Sequence, residues 1–176
     1  MEINTKKHNF EEMYQVGNVI QWINGNIYLV VDHGEFDYSL VDLTNNKVYA
    51  TYDTLKNLIS ELASESDVLL NAEINVFWGE INMKINFKNS EFEDIYKVGN
   101  IIKGRDGFIY LIVKEELGYT VVDLSNDAIY EDYDTMQDLI HDFAGQGQAL
   151  VNAELTILSQ EGENTATSIS GRWIAF

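Results

Sequence analysis

Hydrophobic and polar positions along the chain follow one pattern, written twice. Apolar residues alternate with others from Val19 to Ile23, Asn24-Gly25 interrupts, and a second apolar run fills Ile27 to Asp32. The stretch from Phe92 repeats this, with Asp106-Gly107 as the interruption. Asn-Gly and Asp-Gly tolerate positive φ, so each spacing predicts a β-hairpin with a type I′ turn. A third strand is expected at Tyr38 to Leu43 and at Tyr119 to Leu124. Next come turns through Thr44-Asn45-Asn46-Lys47 and Ser125-Asn126-Asp127-Ala128, whose polar side chains bond to their own backbone. Fourth strands end at Tyr52 and Tyr133.

The period then changes. Leu55, Leu58, Ile59 and Leu62 fall on one helical face behind Asp53-Thr54, and Met136, Leu139, Ile140 and Phe143 do so behind Asp134-Thr135. Asp and Thr are helix N-cap residues, so an amphipathic helix is predicted in each copy. Alternation returns at Val68, Leu70, Ala72, Ile74 and Val76, and at Ala149, Val151, Ala153, Leu155 and Ile157, which predicts a closing strand. A short opening strand is expected at Ile3 and Ile85.

The copies align from Met1/Met83 at one offset to Tyr28/Tyr110, lose one residue near Asp37, and continue to Glu73/Glu154; about 33 of some 81 aligned positions are identical. Solenoids need three or more units, so two copies predict tandem domains. The expected division is 1–82 and 83–163, each a β-rich repeat, with 164–176 as a C-terminal tail able to add a strand. Short antiparallel strands bury one face and avoid open edges by closing into small barrels. The fold class expected is α+β and mostly β: a tandem duplication of a small antiparallel unit, resembling an SH3-like barrel, with one amphipathic helix before the closing strand.

Composition changes the picture in one respect. The chain has 176 residues with 11 Lys and Arg against 29 Asp and Glu, a net charge of −18. Residues 1–82 hold 4 basic and 13 acidic residues and 83–176 hold 7 and 16, so each half carries −9. Direct binding to nucleic-acid phosphates or to an anionic membrane is disfavoured, because both need clustered Lys or Arg. With no cysteine there is neither a disulfide framework nor a cysteine zinc site. MEINTKKHNFEE lacks the apolar core of a signal peptide and no run reaches transmembrane length, so a cytoplasmic location is expected.

Little in the sequence points to catalysis. His8, His33 and His141 have no histidine near them and different residues opposite them in the other copy, so solvated surface is expected for all three. DHGEFD and DLSNDAIYE resemble calcium loops only superficially; the second has Ala128 where an EF-hand needs Gly. Gly104-x-x-Gly107 lacks the Lys-Ser/Thr of a phosphate loop. The expectation is a protein that is not an enzyme and takes no cofactor or metal. Residues kept in both copies read mainly as structural: Asn71/Asn152, Glu73/Glu154, Tyr28/Tyr110, Tyr49/Tyr130, Tyr52/Tyr133, and Gly17/Gly99 with Asn18/Asn100 at a bend.

Function is then sought where the copies diverge. Trp22 stands opposite Gly104, and Trp78 opposite Ser159. Glu116, Asp127, Glu131 and Asp132 replace Gly34, Asn46, Ala50 and Thr51, and with Asp134, the counterpart of Asp53, they form a denser acidic ridge interleaved with Tyr130 and Tyr133. These acids and tyrosines, with Trp22, are the candidate partner-binding residues; carboxylate pairing and cation–π contacts suit a surface rich in Arg and Lys.

The phrasing VGN-I, YLVV, VVDL and YDT-x-x-x-LI, with many Asn and neither Pro nor Cys, resembles small acidic accessory proteins of phages and prophages. That resemblance implies an inhibitor of a host defence nuclease, of the CRISPR or restriction type, which occupies its nucleic-acid site within the bacterial cytoplasm. The other expectations are a tandem module binding protein or peptide in a phage or host assembly, and a small-ligand binder using the barrel mouth.

Overall fold

A computed structural model of the chain describes residues 9–34, 37–77, 95–145 and 148–157. The expected opening strands at Ile3 and Ile85, the 82/83 boundary, Trp78 and the 164–176 tail lie outside these residues. In the first copy the elements are α1 (Phe10–Met13), β1 (Val19–Gln21), β2 (Ile27–Asp32), β3 (Tyr38–Asp42), β4 (Lys47–Tyr52), α2 (Leu55–Leu62), β5 (Val68–Leu70) and β6 (Ala72–Phe77). The second supplies β7 (Ile101–Lys103), β8 (Ile109–Lys114), β9 (Tyr119–Asp123), β10 (Ala128–Tyr133), α3 (Met136–Phe143) and β11 (Ala149–Ile157). Within the described residues the predicted strands and helices form in the predicted order, except that the closing strand expected at Val68 to Val76 divides at Asn71 into β5 and β6; the one-turn α1 was not expected.

The hairpin turns differ from the expected type. Gly25 N donates to Trp22 O at 2.9 Å and Trp22 N to Asn26 O at 3.0 Å, and Gly25 has φ +85° while Asn24 is not in the left-handed region. This is a three-residue loop closed by a glycine bulge, not a two-residue type I′ turn. Asn24 Oδ1 accepts the Asn26 amide at 2.9 Å, and Asp106 Oδ1 accepts that of Phe108 at 3.0 Å, so the Asx side chain serves the turn without positive φ.

Each copy forms a meander, β1-β2-β3-β4 and β7-β8-β9-β10, and the meanders join twice. Ala128 of β10 pairs in parallel with Asp32 of β2, and Lys47 of β4 pairs in parallel with Lys114 of β8. Strands β4-β3-β2-β10-β9-β8 therefore close into a mixed six-stranded barrel, three strands from each copy. The remaining strands extend it: β5 lies beside β1, β11 beside β7, and β6 pairs antiparallel with β11.

Double-sided burial explains this arrangement. Leu29, Val31, Val41, Leu111, Val113 and Val122 meet in one core drawn from both copies. Tyr28, Val30 and Leu40, on the other face of the same strands, pack against Leu58 of α2, and Tyr110, Ile112 and Val121 pack against Leu139 and Phe143 of α3. The unbroken runs IYLVV and IYLIV thus belong to strands covered on both faces. Leu58 and Leu139 are fully buried, and Thr54 and Thr135 cap their helices, each Oγ1 accepting an amide at 3.1 Å. Val68, expected inward on the closing strand, is 52% exposed.

Each seam carries a reciprocal contact. The turn before β4 brings Asn46 (φ +52°) against Gly99 of the other copy, and the turn before β10 brings Asp127 (φ +53°) against Gly17. A Cβ on Gly99 would stand 2.7 Å from Asn46 Nδ2, and one on Gly17 2.6 Å from Asp127 Oδ2. Gly17 and Gly99 also have φ of +85° and +87°, so the bend inferred from their retention is present and has a second cause. Asn18 Nδ2 donates to the carbonyls of Glu12 and Met13, and Asn100 Nδ2 to that of Ile95, tying down the segment ahead of each bend.

Candidate functional site

Strand β10 and helix α3 meet at Asp134-Thr135, and their outer faces form an open groove. Its volume is about 560 Å³, and it is lined by Tyr130, Glu131, Asp132, Tyr133, Asp134, Asp138 and Asp142. Asp138 and Asp142, four residues apart, lie on one side of the helix, and Asp134 precedes its N-cap and lines the same groove. The strand contributes Glu131 and Asp132 beside them. Five carboxylates share the groove with two phenols. The corresponding residues of the first copy, Ala50, Thr51, Asp53, Asn57 and Glu61, include only two acids.

A β-bulge sets the exposure of Tyr130. Ile129 pairs with Val122 and Glu131 with Val121, leaving Tyr130 as the extra residue, 53% exposed. Bulges turn a side chain away from regular alternation. Its ring rests on Tyr110 at 5.4 Å and Phe143 at 5.5 Å. Tyr49 occupies the same bulge in the first copy, against Trp22 at 5.0 Å and Tyr28 at 5.5 Å.

The groove acids differ in their surroundings. Asp132 accepts from Thr120 Oγ1 at 2.7 Å and lies 2.8 Å from His33 Nε2, and these bonds hold its carboxyl below the ordinary carboxylate range. Burial, then the charges of Glu131 and its neighbours, push the Tyr133 phenol up to about 12, so it remains a neutral hydrogen-bond donor at physiological pH. Among the described residues no group of three or more His, Asp or Glu is placed to hold a metal ion. Both oxygens of Asp132 are engaged, and the other carboxylates line the groove where a guanidinium or ammonium can meet them.

Of the candidates named from sequence, the structure gathers Tyr130, Glu131, Asp132, Tyr133 and Asp134 in this groove. It does not bring the others there. Glu116 is exposed in the β8–β9 loop, Asp127 sits at Gly17, and Trp22 lies in the α2-side core with its Nε1 donating to Tyr14 at 3.2 Å. Burial and the nearby Asp123 raise the Asp127 carboxyl. Asp138 and Asp142 were missed, although the four-residue spacing from Asp134 was visible. His33, expected as solvated surface, is instead mostly covered, its side chain 18% exposed between Asp132 and Ser39. His141 is exposed as expected, and His8 lies outside the described residues.

No family model, curated protein or solved structure matches the chain. Among the described residues no helix is long and apolar enough to cross a membrane.

Proposed function

We propose that this chain is a non-enzymatic acidic binding protein whose β10–α3 groove docks a Lys- and Arg-rich surface, in the manner of a nucleic-acid mimic. The observation that carries this reading is the concentration of five carboxylates and two tyrosines in one groove. The equivalent positions of the first copy hold two acids. Like charges crowded together cost stability, so their collection on one copy calls for a cationic partner. Rows of carboxylates at a surface imitate the phosphates that a nuclease cleft binds, and the partner class is a bacterial defence nuclease of the CRISPR or restriction type, met in the cytoplasm. On this reading each repeat is an SH3-like unit, supported by the strand order β5-β1-β2-β3-β4, its counterpart β11-β7-β8-β9-β10, and a helix ahead of each closing strand.

Capture from bacterial lysate tests the assignment, with wild type and the triple variant Glu131→Lys, Asp134→Lys, Asp138→Lys as paired baits. A partner rich in basic surface should be retained by wild type and lost from the variant. Reversal of Asp53, Glu61 and Glu65 in the first copy should leave it bound. A partner held equally by all three baits sinks the groove and favours a tandem interaction module, for which the exposed Tyr49 beside Trp22 is the candidate surface.

A further inference from the structure

The two barrel seams are equivalent by repeat but not by chemistry. At the β2–β10 seam, His33 Nε2 lies 2.8 Å from Asp132 Oδ2, and its Nδ1 lies 2.6 Å from Ser39 Oγ. Ser39 Oγ is 2.7 Å from Thr51 Oγ1, while Thr120 Oγ1 donates to the other oxygen of Asp132 at 2.7 Å. Ser39 and Thr120 are fully buried. At the β4–β8 seam the positions matching His33 and Asp132 are Glu115 and Thr51, which cannot form that pair.

We propose that His33 and Asp132 form a proton-operated latch between the two copies, closed most firmly when the imidazole is charged. The doubly protonated ring donates from Nε2 to Asp132 and from Nδ1 to Ser39, whose hydroxyl then donates to Thr51. With a single proton the ring keeps it on Nε2, facing the carboxylate. Nδ1 then accepts from Ser39, and Thr51 must donate to Ser39 instead. The proton state of one ring therefore sets the direction of a hydrogen-bond chain through β3 and β4. Losing the second proton also replaces an ion pair by a weaker bond to a neutral donor.

Three acidic groups act on the ring: Asp132 across the seam, Glu115 after β8, and Asp37 ahead of β3. The Asp132 bond has the largest effect, outweighs burial, and raises the imidazole above its ordinary value. Stability from a raised histidine is complete below the unfolded value and is lost as pH rises through the folded value. The latch is thus closed under mildly acidic conditions and weakest in alkali. Asp132 also lines the groove, so the same proton places or removes one positive charge beside it; that its presence bears on partner binding rests on the proposed function, whereas the latch does not.

The test is amide exchange on the full chain by NMR across about pH 5.5 to 8.5, expressed as protection factors. Asp32 N, bonded to Asp127 O at 2.9 Å, reports the β2–β10 seam, and Lys114 N, bonded to Asn46 O at 2.8 Å, reports the other. Each pKa unit separating closed and open states corresponds to about tenfold in the opening equilibrium. Asp132 is 44% exposed and partly screened, so the Asp32-to-Lys114 protection ratio should fall only about two- to fivefold as pH rises. The ratio should be flat in His33→Gln, which separates His33 from the raised Asp127 carboxyl at the same seam. In Asp132→Asn the imidazole, followed by its ring-carbon shifts, should titrate at lower pH. A flat ratio in wild type, an equal slope in His33→Gln, or an unmoved titration in Asp132→Asn overturns the latch. No partner enters this measurement, so failure of the groove to bind a basic protein leaves the outcome intact.

Discussion

Gly99→Ala probes the contact that closes the barrel between the copies. Its Cβ would stand 2.7 Å from Asn46 Nδ2 and 3.3 Å from Asn46 Cγ, on a backbone at φ +87°. The left-handed backbone alone costs a non-glycine residue about 1–2 kcal/mol. Displacing a packed side chain adds about 1–3 kcal/mol. The control is Gly25→Ala: φ there is +85°, yet nothing lies within 4 Å of the added carbon. It should carry the backbone cost alone, so the two variants should differ by about 1–3 kcal/mol. Asn46→Gly should itself be nearly neutral or mildly stabilising, because Asn46 is a non-glycine residue at φ +52° with a buried, unbonded Oδ1. In the double variant the clash disappears while the strain at position 99 stays. Urea denaturation of wild type, the two single variants at 46 and 99 and their double variant should therefore give a coupling of about 1–3 kcal/mol. Equal losses in Gly99→Ala and Gly25→Ala, with additivity within about 0.5 kcal/mol, would refute the reciprocal seam.

Other consequences are independent of the seam. Leu58→Ala and Leu139→Ala should each cost about 2–5 kcal/mol in denaturation, and unchanged midpoints would show that the helices do not cover the barrel. Tyr14 donates to the buried Asp67 carboxylate at 2.6 Å, so Tyr14→Phe leaves Asp67 short of a donor and should cost about 1–3 kcal/mol; Tyr14→Phe with Asp67→Leu should recover part of that loss. Asp142 lies near the C-terminal end of α3 among other acids, where a negative charge opposes the helix dipole. Asp142→Asn should accordingly raise the melting temperature while weakening partner binding, and a variant that loses stability would argue against crowded charge in the groove.

Element order was legible because it rests on local chemistry. Alternation, Asx turns, the Thr54 and Thr135 caps and the Leu58 and Leu139 faces all act over a few residues. Closure of the barrel was not legible in the same way, since Asn46 meets Gly99 and Asp127 meets Gly17 only through the third dimension. Traces of it were present: both glycines and both turns are kept, and IYLVV and IYLIV are too continuously apolar for strands with one wet face. Of the five groove residues found from sequence, Glu131 and Asp132 stood out by divergence between copies, while Tyr130, Tyr133 and Asp134 are shared with the first copy and were drawn in by their place beside them. Asp138 and Asp142 required reading α3 for its polar face as well as its apolar one. His33 looked isolated because its partner, Asp132, is 99 residues away. The hairpin turns show a different limit: Asn-Gly and Asp-Gly suit two kinds of loop, and the side-chain bonds of Asn24 and Asp106 select between them.

The most direct test of the proposed function is competition between the captured partner's nucleic acid and this protein, measured across a salt series. Carboxylates facing cations at an interface give fast association that weakens as ions screen it. Binding should be mutually exclusive, with affinity falling steadily as salt rises and little binding left after reversal of Glu131, Asp134 and Asp138. Binding that ignores salt, survives the reversal and leaves the nucleic acid in place would contradict it.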